Sequence, residues 1–289
     1  MDNYKNYWIA RAVLVLVTAV SGLVIFSLLI RKPGHMHDHT RRWVDYTKIG
    51  LGLWVSAQIV NPLWQIILFT CFDIVHGWQN NSTARSAFFV ISYIGGVIDL
   101  WSTIALFLAL FYLAHALTQL RTEGQEDSSA YQKGRKVVLG VSGFLCGISI
   151  VMWCLFLATS LSEHWDENTG RMYLVASWIN TIIVVTLVLC SIGSVVYSAK
   201  SRKKALGSPV QKAATILVVC SSLYLLCTAW SVFNLFFRLP AFLVIVDVFT
   251  NCWPSFAIFT LLYLLATKEE YLLSKTHYRL WTADDGETG

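Results

Sequence analysis

Residues 88–120 read FFVISYIGGVIDLWSTIALFLALFYLAHALTQL and carry a single acidic side chain, Asp99. About 20 apolar residues span a bilayer, and this run exceeds that. It is too long and too apolar for a helix in water. A carboxylate in such a run costs roughly 2.5–3.5 kcal/mol or more to insert, which makes it a functional-site hypothesis by default. Only one other acid in the chain shares the situation: Asp247, in FLVIVDVFTNCWPSF.

Working outward from that stretch, the 289 residues are 56% hydrophobic and 13% charged. Soluble domains carry about a quarter charged residues, so this is a membrane composition. Apolar runs of spanning length fall at roughly 8–30, 49–71, 87–120, 137–161, 172–198, 213–237 and 241–267. The expected fold is therefore all-α: a polytopic bundle of seven transmembrane helices forming one domain over 1–267, followed by a tail, 268–289. No cleavable leader is read at the start. The first run is too long for a signal-peptide core and is expected to stay as an anchor.

Orientation follows from Lys and Arg. Segments 31–48, 121–136, 199–212 and 268–289 hold 17 of the 22 basic residues. The rest are Lys5, Arg11, Arg85, Arg171 and Arg238. The positive-inside rule then places the N-terminus outside or in the lumen and the C-terminus in the cytosol. The net charge of +5 is this loop signal and requires no nucleic-acid partner. The expected location is a multi-pass position in the endoplasmic reticulum or another endomembrane.

The connecting segments carry weaker signals. Asn80 and Asn81 begin overlapping N-x-[ST] sequences in a loop assigned to the lumen, where such sites are glycosylated. His35, His37, His39 and Asp38 cluster in RKPGHMHDHTRRW, but Pro33 and Gly34 favour a solvated loop, and no metal site is assigned. The seven cysteines lie in or at the ends of the spans and suggest no disulfide framework. Gly143 and Gly147 form a GxxxG pair in the fourth span, which is expected to admit a neighbouring helix. Tyr271, Leu272, Tyr278 and Trp281 could lay the start of the tail on the membrane surface.

Polar residues inside spans face the bundle interior or a cavity. Asp99 lies twelve residues past Ala87, near mid-membrane at a rise of about 1.5 Å per residue. Gln58, Asn61 and Gln65 recur on one face of the second span, and Asp247, Asn251 and Ser255 on one face of the seventh. Asn180 and Asn234 lie in the outer halves of the fifth and sixth. Together these stripes predict an internal pocket. No Lys or Arg is read as mid-span, so neither acid is expected to have a basic partner. A desolvated carboxyl without one stays protonated and is a poised proton donor. Trp64, Trp101 and Trp253 lie too deep for the interfacial belt, and aromatic faces stabilise cations in dry sites.

Two resemblances bear on function. Seven helices with this orientation resemble a G-protein-coupled receptor, but the third span ends LAHALTQLR with no Asp-Arg-Tyr, and the seventh has NCWPSF in place of Asn-Pro-x-x-Tyr. Loop 162–171 has no Cys for that family's disulfide, and Lys268 stands at the wrong end for a retinal Schiff base. The chain also resembles the small heptahelical membrane-bound terpene cyclases of fungal meroterpenoid biosynthesis, which pair an Asn-x-x-Trp-Glu pattern on an early helix with an acid on the last. Here the pattern is Asn61-Pro62-Leu63-Trp64-Gln65, with Gln in the Glu position, and Asp247 stands on the last helix.

The resemblance implies an isomerase or lyase of secondary metabolism that protonates a prenyl epoxide and guides carbocation cyclisation. Asp99 and Asp247 would be its catalytic pair. Asn61, Trp64, Gln65, Trp101, Asn251 and Trp253 would line the substrate. No metal or cofactor is called for. The partners implied are a lipid-soluble prenylated molecule, membrane lipid and pathway enzymes in the same membrane. An orphan heptahelical receptor, or a transporter of lipids or small molecules, are the alternatives. A transporter would need a polar path to both faces, and only His115 extends the polar set of the third span inward.

Overall fold

The computed structural model describes residues 2–34, 39–71, 82–121, 129–162, 166–208, 210–236 and 243–268. Among them the regular structure is entirely helical. The elements are α1 (Asp2–Ile30), a short 3-10 turn (His39–Arg41), α2 (Arg42–Cys71), α3 (Ser82–Arg121), α4 (Ser129–Leu161), α5 (Glu167–Lys204) and α6 (Gln211–Phe236). The last rod is made of α7 (Leu243–Asp247), a π-helical turn (Val248–Cys252) and α8 (Trp253–Thr267). In hydrocarbon a helix is one of the few ways to satisfy every backbone N–H and C=O, which is why such apolar runs fold this way.

Among the described residues six helices are long and apolar enough to cross a membrane: those containing 6–30, 89–120, 131–161, 167–204, 211–236 and 244–267. The chain is a multi-pass membrane protein in its composition and helix lengths. α2, at 30 residues, carries Gln58, Asn61, Pro62 and Gln65 in its later half.

Several helices run past the apolar limits read from sequence. α4 starts at Ser129, ahead of position 137, and α5 runs on to Lys204. Hydropathy marks only the stretch matched to lipid, whereas the helix continues while its backbone bonds are satisfied. Asp166 begins α5 by accepting hydrogen bonds from the Thr169 N–H at 2.7 Å and the Thr169 hydroxyl at 2.6 Å. These bonds hold its carboxyl below the usual range. Arg202, Lys203 and Lys204 complement the negative end of the same helix.

Sequential helices pack side by side, and the last rod returns to α1, α2 and α6. α3 sits at the centre, touching α2, α4, α5 and α6. Of its most apolar window 61% is buried, against 17% for α4 and α5, whose outer faces are left for lipid. The main core joins Trp43, Leu51 and Trp54 of α2 to Leu110, Leu113 and Leu117 of α3, with Leu217 and Tyr224 of α6 and Ile258, Phe259 and Leu262 of α8.

Glycines set two of these contacts. At Gly22 of α1 a side chain would meet the Trp54 ring at 2.8 Å. Gly50 of α2 lies against Phe259 and Ala105, and its carbonyl accepts from the Ser102 hydroxyl at 2.8 Å. The GxxxG reading of α4 is corrected: nothing lies within 4 Å of where a side chain at Gly140, Gly143 or Gly147 would begin. That stripe faces away from the bundle, because α3 and α5 pack on the opposite side of α4 through Leu145, Ser149 and their neighbours.

Candidate functional site

The face of α3 that meets α2 carries Gly95, Asp99 and Ser102 at helical spacing. Opposite it, α2 presents Asn61 and Gln58. The Asn61 amide occupies the space into which any side chain at Gly95 would grow, so this glycine lets α2 approach. One turn further along α3, Gln58 Nε2–H donates to Asp99 Oδ1 at 3.1 Å. Among the described residues Oδ2 of Asp99 accepts no hydrogen bond. The sequence expectation that Gln58 and Asn61 share a face turned to the interior therefore holds.

Asp99 lines a partly open cavity of about 130 Å³ between α3, α5, α6 and the last rod. Thr103, Thr228, Ser231, Asn251 and Ser255 supply its polar wall, and Leu100, Leu106, Val184 and Leu187 its apolar one. Cys227 reaches across it, 3.6 Å from Ser255 Oγ and 3.7 Å from the Asn251 carbonyl. Asn251 belongs to the π-helical turn. Pro254 supplies the cause: it has no N–H, and its ring crowds the carbonyl four residues earlier. Turns of this kind recur at functional sites.

Asp247 differs from the sequence expectation. Arg11 Nη2 of α1 lies 3.0 Å from Asp247 Oδ2, an ion pair whose side chains are 21% and 20% exposed. Trp230 Nε1–H of α6 donates to the other oxygen at 3.0 Å. Both carboxylate oxygens are thus engaged, and the pair ties α1, α6 and α7 together. The Arg11 guanidinium lies 5.6 Å from the centre of the Trp8 ring. The expectation that no base lies within reach of either acid is corrected: Arg11 stands only three residues inside the first apolar run, shallow enough to pass for a flanking charge. Asp247 and Arg11 both act electrostatically on Asp99, so the pair is its neighbour, but Asp247 is not on the lining of the Asp99 cavity.

The remaining candidates divide. Asn61 and Asn251 are placed as described. The side chains of Trp64 and Gln65, and all of Asn80 and Asn81, lie outside the described residues, as does His35–His37–Asp38. Trp101 points to α4, where Nε1–H donates to Ser149 Oγ at 2.9 Å within a cluster of Leu145, Ile183 and Leu187. Trp253 is 43% exposed and packs edge-on against Phe249 at 4.6 Å. Neither indole is on the lining of the Asp99 cavity, where Tyr224 is the aromatic residue among those described.

Sequence reasoning missed Arg11, and a signal was there. If the rods alternate, α1 and α7 start from the same face, and Arg11 and Asp247 lie five and three residues past the span starts at Asn6 and Val244. Equal depth marks them as a pair. Tested against protein-family models, curated proteins and solved structures, the chain finds no match.

Proposed function

We propose that this chain crosses the membrane seven times, N-terminus outside or luminal and C-terminus cytosolic, and that Asp99 is the acid of a membrane-embedded cyclase acting on a lipid-soluble prenyl epoxide. The observation that carries the reading is the contrast between the two acids. Asp247 is neutralised by Arg11 and held by Trp230, whereas Asp99 faces a cavity with a neutral amide as its partner.

In the proposed reaction Asp99 delivers its proton from Oδ2 to the epoxide oxygen. The C–O bond breaks to give a hydroxyl and a tertiary carbocation. Double bonds of the prenyl chain attack in turn, forming ring C–C bonds. The final cation loses a proton, which returns to the Asp99 carboxylate, so the net change is an isomerisation. Gln58 holds Oδ1 and leaves Oδ2 to the substrate. General acid–base work of this kind contributes about 10²–10⁴-fold. Asp247, in this scheme, fixes the last rod and takes no proton.

A second reading has an observation in its favour. Small-molecule sites usually measure roughly 300–1,000 Å³, and the cavity here measures about 130 Å³. This suits a receptor that binds a small ligand without converting it. For the cyclase, the cavity receives only the reacting end of the substrate, and the chain lies among displaced side chains or in lipid.

The test is to offer membranes containing the protein a set of prenyl epoxides. Cyclic alcohols isomeric with the substrate support the cyclase. Saturable binding of an epoxide or its alcohol without turnover moves the receptor reading to first place. A C-terminal tag accessible to protease on sealed microsomes supports the orientation, and a protected tag reverses it.

A further inference from the structure

Most hydroxyl protons around the Asp99 cavity are committed elsewhere. Thr103 Oγ1–H donates to the Asp99 carbonyl at 3.0 Å, and Ser231 Oγ–H to the Cys227 carbonyl at 3.1 Å. The Tyr224 hydroxyl crosses from α6 to donate to the Thr103 carbonyl at 3.3 Å. The Thr228 hydroxyl lies 2.9 Å from Ser191 Oγ and 3.1 Å from the Tyr224 carbonyl, and Ser191 in turn donates to the Val188 carbonyl at 2.7 Å. Thr103, Tyr224, Thr228 and Ser231 all line the cavity. A hydroxyl has one O–H and two lone pairs. These four therefore have lone pairs, and no proton, left for a ligand. Asp99 Oδ2 is a further acceptor, since Gln58 engages Oδ1. Donors on the lining come from the Asn251 amide and from Ser255, whose hydroxyl shares a hydrogen bond with Cys227 Sγ at 3.6 Å.

A wall of acceptors around one carboxyl is complementary to a ligand that brings donors and positive charge. A primary ammonium has three N–H donors and no acceptor. Its hydrogen bonds to a carboxylate are roughly twice as strong as those between neutral groups. The neighbouring ion pair does not meet this demand: Arg11 faces Asp247 at 3.0 Å, is not on the lining, and acts on Asp99 with the opposite sign to Asp247. The rest of the wall, Leu100, Leu106, Val184 and Leu187, offers an apolar surface to a short alkyl chain. The volume agrees: the cavity measures about 130 Å³. One water needs about 10–15 Å³ on the same measure, so an ammonium head and a few carbons fit.

We propose that this cavity binds a short primary alkylamine, held as its ammonium by Asp99 Oδ2 and the hydroxyl oxygens of Thr103 and Ser231. The amine enters from the bilayer in its neutral form. Its nitrogen lone pair takes the proton from Oδ2, the O–H bond breaks, and ammonium and carboxylate remain paired. The inference rests on Asp99 as the acid of the proposed function and not on turnover: the amine accepts the proton that an epoxide would receive, and it has no bond to open.

The experiment uses the full chain in phosphatidylcholine nanodiscs and reads butylamine binding by calorimetry, with empty discs subtracted. Butan-1-ol brings one donor in place of three, and butyltrimethylammonium keeps the charge without an N–H. Each should bind more weakly than butylamine by roughly tenfold or more, the scale of one lost hydrogen bond to a charged group. Thr103→Val and Ser231→Ala should each weaken butylamine by a similar factor. Asp99→Asn should weaken it by roughly a hundredfold or more, the scale of removing one member of a buried pair. Ser222→Ala, exposed on α6 and off the lining, should leave binding unchanged. The proposal is overturned if butylamine shows no saturable binding, if either analogue binds as tightly, or if folded Asp99→Asn binds like the wild type. Amine binding by a chain that converts no epoxide keeps this inference and removes the cyclase; epoxide conversion without amine binding does the reverse.

Discussion

Replacing Arg11 with Gln removes the cationic partner of Asp247 and leaves Trp230 as its one remaining donor. Breaking a buried pair by losing one member costs about 3–5 kcal/mol, whereas an exposed pair is worth about 0–1 kcal/mol. With both side chains about one-fifth exposed, at 21% and 20%, this pair stands nearer the buried limit, and a loss of roughly 2–4 kcal/mol follows. Asp247→Asn removes the carboxylate that Arg11 faces and should also destabilise, while keeping an acceptor for Trp230. In the double variant neither charge is left alone, so most of the stability should return. The assay is a double-mutant cycle on unfolding of the purified protein in one detergent. A coupling of roughly 1–3 kcal/mol, with the double variant more stable than either single one, is the expected outcome. Strictly additive losses would refute the reasoning, since the two side chains would then act independently.

The remaining predictions concern other parts of the bundle. Gly95→Ala places a methyl group on the Asn61 amide and should destabilise the α2–α3 contact, and Asn61→Ala in the same chain should relieve it; thermal unfolding of the three variants reads this. Gly143→Ala meets open space and should be neutral or stabilising, since Ala favours a helix by about 0.8–1 kcal/mol over Gly. Asp166 has its carboxyl held below the usual range by Thr169, so its contribution to the first turn of α5 is complete above the unfolded value of about 4 and is lost as pH falls through the folded one. Hydrogen exchange at the Thr169 amide should therefore quicken at acid pH beyond its intrinsic trend, and Asp166→Asn should remove that dependence.

The helical rods were legible because lipid imposes one period and one length on each apolar run. Asp99 was legible for the same reason: a lone carboxylate in a long apolar run has nowhere to go but inward. Gln58 and Asn61 followed from their spacing. Trp101 and Trp253 were misplaced because depth says how far along a helix a ring lies and not which way it points. Trp253 follows the π-helical turn, whose extra residue rotates it relative to an even α-helix. The glycines of α4 and those of α1–α3 look alike in sequence; only the neighbour opposite, Asn61 or Trp54 against open space, distinguishes a contact from an outer face.

The account turns on Asp99 as the acid and Asp247 as a structural partner of Arg11. The most direct measurement is the conversion rate of a prenyl epoxide by Asp99→Asn, made on protein shown to be folded by its unfolding temperature. The account predicts a rate lower by about 10²–10⁴-fold with stability near that of the wild type, because the amide keeps the Gln58 hydrogen bond but has no acidic proton. Wild-type conversion by folded Asp99→Asn would contradict it.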